Sequence, residues 1–235
     1  MSAKEVIIFL DTETTGTDVS ADEIIEVYAT VLNADFTPTG RELHLFISPD
    51  RDIDPFATKV HGHTNESLAG KPKFADVAGQ IAKFLAGEPG ESVILAGHNV
   101  RVFDIPLLRR QLNAAGHEEQ TQPRILDTLI ASRPLFTKRS LDAVCDRLGI
   151  DRSSRTLHGA KLDVELNIEV AKAIRDQFGE AALAIPEDYE ADVPRSPTQR
   201  IAPDLANALP RFSAVVAPEV VSTANTSSRT VKSLF

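Results

Sequence analysis

The segment KEVIIFLDTET, residues 4–14, carries the strongest constraint in this chain. Val6 to Leu10 form an unbroken apolar run rich in branched side chains, which reads as a buried strand. The run ends on Asp11 and, two positions later, Glu13. Side chains two apart on a strand point to the same face, so these carboxylates stand side by side. Like charges at that spacing are destabilising unless something neutralises them, and a divalent cation is the usual neutraliser. A cation site needs more ligands than two, so whether a cation is there depends on whether the rest of the sequence can supply them.

The chain is long enough to do so. Its 235 residues allow one domain of ordinary size plus an appendage. An apolar fraction of 42% and a charged fraction of 25% are those of a globular protein in water. No apolar run approaches the ~20 residues of a membrane span, and the opening MSAKEV has no signal-peptide core. The single cysteine, Cys145, excludes an internal disulfide and fits a reducing cytoplasm. It sits in the apolar helical pattern LDAVCDRL and reads as a small buried hydrophobe. The net charge of −9 argues against coating nucleic acid through a broad basic surface. It leaves open an enzyme that meets phosphate through metal ions.

Periodicity divides the first half into EVIIFLDTE, IIEVYATVLN and ELHLFIS as strands, separated by the turns TTGTDVSADE and ADFTPTG. Three strands joined by short connections imply an antiparallel meander. FADVAGQIAKFLA is helical, with Phe74, Val77, Ile81, Phe84 and Leu85 on one face. SVILAGH is a short strand, followed by the helix IPLLRRQLNAAG, which Gly116 ends. RILDT reads as a fifth strand leading into a helix around LIASRPLF. Ser140 caps SLDAVCDRLG, which stops at Gly149, and GAKLDVELNIEVAKAIRDQF is the longest periodic helix. The expected class is α/β with a mixed sheet.

Two further segments carry carboxylates. HNVRVFD places Asp104 after a strand and at a helix start, where an acid also complements the helix dipole. TLHGAKLDVE puts His158 before a helix and Asp163 inside its first turns, amid Leu162, Val164 and Leu166. Together, Asp11-Thr12-Glu13, Asn99 through Phe103-Asp104, and His158 through Asp163 resemble the three motifs of the DEDDh family of 3′→5′ exonucleases. Those motifs are D-x-E, N-x₂₋₃-[FY]-D and H-x₄-D, and they occur here in the family's order. KVHGHTNESLAGKPKFADVA, RSLDAVCDRLGI and SSRTLHGAKLDVE look like the proofreading, epsilon-type members, and the resemblance runs from about residue 5 to 175. Here three residues separate Asn99 from Phe103, and Phe56 follows Asp54-Pro55 where the family often has an acid touching the terminal nucleotide.

The resemblance implies a ribonuclease H-like fold, a mixed five-stranded sheet flanked by helices, with a flexible C-terminal tail. It implies two divalent ions, Mg²⁺ or Mn²⁺, held by Asp11, Glu13, Asp104 and Asp163. Asp11 would bridge both ions, Glu13 and Asp163 would share one, and Asp104 would act mostly through water. Hard cations favour such oxygen ligands, and two ions roughly 3.5–4 Å apart suit phosphodiester hydrolysis. His158 becomes the general base, a role that a histidine with its ordinary pKa of about 6.5 can fill. Thr14 and His61 would approach the terminal sugar and nucleotide.

The expected division is an exonuclease domain over 1–178, an acidic Pro-rich linker over 179–200, and a tail over 201–235. By resemblance the tail binds the replicative DNA polymerase catalytic subunit, and its VKSLF ending looks like a peptide for the sliding clamp; a frayed terminus is the plain alternative. The function expected is removal of nucleotides from DNA 3′ ends in proofreading. The rivals are a stand-alone member trimming RNA or short oligonucleotides, and an idle scaffold that stabilises a polymerase.

Overall fold

The computed structural model describes residues 3–118, 124–153, 155 and 157–184. Of the linker expected over 179–200, residues 185–200 lie outside the described residues, as does the tail over 201–235 with its VKSLF ending. Five strands form one mixed sheet in the order β3-β2-β1-β4-β5. β1 (Lys4–Thr14), β2 (Ile24–Asn33) and β3 (Pro38–Phe46) make the antiparallel meander. β4 (Glu91–Gly97) and β5 (Arg124–Asp127) add parallel strands on the other side of β1. That places β1 in the centre of the sheet, which is why its sequence is so apolar.

Alternation along β1 sorts its side chains between two cores. Val6, Ile8 and Leu10 pack with residues of α2 (Phe74–Ala86) and α3 (Asp104–Ala114). Ile7 and Phe9 pack on the opposite face with α5 (Leu141–Leu148) and α6 (Ala160–Phe178). Phe9 and Ile8 are both 0% exposed, so neither face of the strand meets water here. Gly97 permits a close approach at the end of β4: a Cβ there would lie 2.9 Å from the Leu10 carbonyl and 2.6 Å from Val100 Cβ. Cys145 is buried in the α5/α6 core, as its pattern implies.

Three elements differ from the periodicity reading. β3 starts at Pro38 rather than Glu42, because Thr39 Oγ1 donates to the Val31 carbonyl and the ladder continues to Leu32↔Pro38. It is an edge strand, where proline is tolerated. α4 (Thr128–Ser132) is shorter than expected, since Pro134 has no N–H to extend the helix. α1 (Pro55–His61) has too few residues for a periodic signal, and only its caps mark it. Asp54 Oδ1 accepts from Phe56 N–H at 2.6 Å, Pro55 opens the helix, and Gly62 closes it at φ 80°. Beyond α6, a 3₁₀ turn over Glu180–Leu183 tucks Leu183 into the same core.

Candidate active site

The odd-numbered row of β1 delivers the first two acids. Asp11 and Glu13 continue the line of Ile7 and Phe9, past the end of the hydrophobic layer and on the side covered by α6. Asp163 stands in the first turn of α6, where the helix dipole favours an anion. One oxygen from each of Asp11, Glu13 and Asp163 lies within 4.8 Å of the others. Glu13 and Asp163 are buried, and Asp11 keeps partial exposure.

Asp104 stands outside that set of three but adjoins it. Its Oδ1 accepts from Thr12 N–H at 3.1 Å and from Thr12 Oγ1 at 2.6 Å. The loop before it is gripped from β5: Asp127 accepts from Asn99 N–H at 3.0 Å and from Arg101 N–H at 3.1 Å. Asn99 sits at φ 68°, a left-handed conformation that asparagine tolerates. Val102 and Phe103 N–H groups both return to the Asn99 carbonyl, so the three-residue spacing closes as a turn and still presents Asp104 at the start of α3.

His158 N–H donates to the Val60 carbonyl at 3.0 Å, which anchors its loop on α1. Its Nδ1 lies 3.1 Å from Asp163 Oδ2 and 2.7 Å from Arg155 Nη2. Arg155 forks across Asp163, with Nε to Oδ1 at 2.7 Å and Nη2 to Oδ2 at 2.6 Å, and it also bonds Asp142 on α5. Thr14 and His61 are engaged within the protein. Thr14 Oγ1 donates to the Gly16 carbonyl at 2.5 Å. His61 Nδ1 accepts from His63 N–H at 3.0 Å, so its Nε2 carries the proton and faces the Thr14 carbonyl at 3.2 Å. Burial and the adjacent His63 hold the His61 pKa below its ordinary value, which keeps that tautomer neutral.

Burial dominates the electrostatics of the acids. It raises the Asp11 pKa well above the ordinary carboxylate range, helped by the nearby charges of Asp104, Glu13 and Asp163. Glu13 is pushed to about 8 by burial and then by Asp163 and Glu26, with Arg155 pulling the other way. Asp104 rises to about 7 through burial, opposed by the Thr12 hydrogen bonds. Glu26, opposite Glu13 in the β1–β2 ladder, shows the contrary outcome. Burial disfavours its charge, but His63 at 2.9 Å and His44 at 2.7 Å outweigh that and lower its pKa. Glu26 has its partners inside the protein, whereas Asp11 and Glu13 lack enough of them.

That imbalance is the test of fit for a cation. Of the three carboxylates that converge, Asp11 and Glu13 are left poorly compensated while Arg155 meets Asp163, and the donors are all hard oxygens with no thiolate among them. Such a set suits Mg²⁺ or Mn²⁺. Sequence reasoning did not single out Thr12, Glu26, Asp127 or Arg155. Arg155 had a signal in lying three residues before His158; for the others only the fold makes the pairing.

Residues 8–171 match the model of the RNase_T exonuclease family. The chain is 40% identical over 173 residues to DNA polymerase III subunit epsilon of Pasteurella multocida, covering 69% of this chain and 65% of that protein. It is 36% identical over 205 residues to the Escherichia coli protein of the same name, covering 83% and 81%. The chain thus spans slightly less than two thirds of the Pasteurella relative. Escherichia coli exonuclease I bound to a dT13 oligonucleotide shares the fold with a TM-score of 0.63 at 21% identity, over 73% of this chain and 41% of that one. With its profile matched across most of the described residues, this chain belongs to the RNase_T exonuclease family.

Proposed function

We propose that the protein is a 3′→5′ exonuclease that removes nucleotides from DNA 3′ ends as the proofreading partner of a replicative DNA polymerase. The observation that carries this reading is the convergence of Asp11, Glu13 and Asp163 within 4.8 Å, with Asp104 and His158 beside them. Asp11, Glu13 and Asp163, with Asp104 at their side, would hold two divalent ions. Such ions neutralise phosphate charge, lower the pKa of water and stabilise a leaving oxygen. His158 takes the proton of the attacking water, and Thr12 fixes the Asp104 carboxylate that faces the same space. Thr14 and His61 shape the wall for the terminal sugar and base through the turn at Gly16 and the end of α1. The relatives named DNA polymerase III subunit epsilon favour DNA and a polymerase partner over free-standing RNA trimming.

The test uses 3′-labelled mismatched DNA and the matching RNA, each with Mg²⁺, Mn²⁺ or chelator. Release of mononucleotides from the DNA 3′ end, lost on chelation, is expected. Hydrolysis that persists in chelator overturns the metal assignment. A clear preference for RNA moves the substrate to the alternative. Co-elution of the whole chain, but not of residues 1–178, with a polymerase catalytic subunit or the sliding clamp tests the tail.

A further inference from the structure

We infer that Arg155 is a built-in counter-cation of this site, which holds Asp163 and His158 in a resting arrangement and must swing toward Asp142 before a divalent ion can be held there. The inference rests on reading Asp11, Glu13 and Asp163 as a cation site, and deepens it. Three features carry it. The Arg155 side chain is 5% exposed, so its charge is committed to its neighbours rather than to water. Its fork puts a donor on each oxygen of Asp163, at 2.7 and 2.6 Å, so the negative charge that a divalent ion would share is already met by a guanidinium. Its Nη1 at the same time grips Asp142, whose side chain is 40% exposed, so the guanidinium has an acid to stay with when it leaves Asp163.

His158 is caught in the same contact. Arginine has donors and no acceptor, so the 2.7 Å approach of Nη2 requires His158 Nδ1 to accept. The ring proton of the neutral imidazole is then on Nε2, and that nitrogen has no lone pair to take a proton from water. Asp163 Oδ2, 3.1 Å from Nδ1, is an acceptor that cannot be used while Nδ1 itself accepts. Once Arg155 withdraws, Nδ1 is free to carry the proton and Nε2 becomes the bare nitrogen. Release of Asp163 and readiness of His158 are therefore one event, governed by one side chain.

The test is Mn²⁺ binding to the full 235-residue chain by titration calorimetry, with no nucleic acid present. Arg155→Met should tighten Mn²⁺ binding about tenfold, the equivalent of about 1.4 kcal/mol. Asp142→Asn leaves Arg155 nowhere to retreat and should weaken binding; in the Arg155→Met background the same change should have no effect. Arg155→Lys keeps the charge but loses the fork, and should also tighten binding, which covers the case of a Met variant that does not fold. Binding that is unchanged or weaker in Arg155→Met and Arg155→Lys overturns the inference. So does an Asp142→Asn effect of equal size in both backgrounds, because that reports charge acting through space alone. A wild-type chain that takes up no Mn²⁺ refutes the cation site itself, a failure distinct from the other two.

Discussion

Thr12 holds Asp104 by two hydrogen bonds to one oxygen, from its N–H at 3.1 Å and its hydroxyl at 2.6 Å, across 92 positions of chain. The contact joins the centre of the sheet to the start of α3 and keeps a buried carboxylate beside Asp11 and Glu13. Thr12 lies between those two acids in sequence, yet its side chain points to the opposite face of β1. Thr12→Val removes the hydroxyl donor and leaves the backbone bond. Hydrogen bonds to charged groups contribute about 1.5–3 kcal/mol. The variant should lose stability of that order in chemical denaturation at pH 8, where Asp104 is ionised, and clearly less at pH 5, where it is protonated.

Asp11 sits at the convergence of the cluster and carries the most strongly opposed charge. Asp11→Asn should lower hydrolysis of single-stranded DNA by at least ~10³-fold, since catalysis by metal ions contributes several kcal/mol to the transition state. The same change should raise the melting temperature of the metal-free protein, because it removes repulsion from Glu13, Asp104 and Asp163. Hydrolysis at the wild-type rate would refute the assignment of this site.

The shifts at Glu13 and Asp104 set a pH dependence. Each binds its proton more tightly in the folded chain, to about 8 against 4.5 for Glu13 and to about 7 against 3.8 for Asp104. Between the unfolded and folded values the native state therefore holds more protons than the unfolded state, and stability falls as pH rises. Metal-free protein should melt at progressively lower temperature from about pH 5 to about pH 8. Glu13→Gln should flatten that slope, and saturating Mg²⁺ should reverse it by binding the ionised carboxylates. A melting temperature that climbs over this range without metal would contradict the burial argument.

His158→Gln keeps a polar side chain at the rim of the site and removes the ring nitrogen that would take the proton of the attacking water. Loss of a positioned base costs about 10²–10⁴-fold. The loss should fall in kcat, with KM for a 3′-labelled oligonucleotide little changed. A loss confined to KM would make His158 a binding residue instead.

Much of this site was legible in the chain itself. The period-two placement of Asp11 and Glu13 after an apolar run requires them to share a face, and their mutual repulsion calls for a cation wherever the strand lies. His158 and Asp163 are likewise tied by their place at a helix start. Local periodicity marks strands and helices because side-chain direction repeats with the backbone. It does not say which face of β1 meets α6, that Glu13 lies opposite Glu26, or that Asp104 reaches Thr12. Those facts depend on strand order, register and the packing of α6 over Ile7 and Phe9. Neutralisation works through distances in space, so only the tertiary structure decides which charges are met within the protein, as for Glu26, and which are left for an ion. The short helix α1 and the fork of Arg155 are not legible in the sequence for a related reason: α1 is too short to show a period, the fork has none, and each is defined by what it touches.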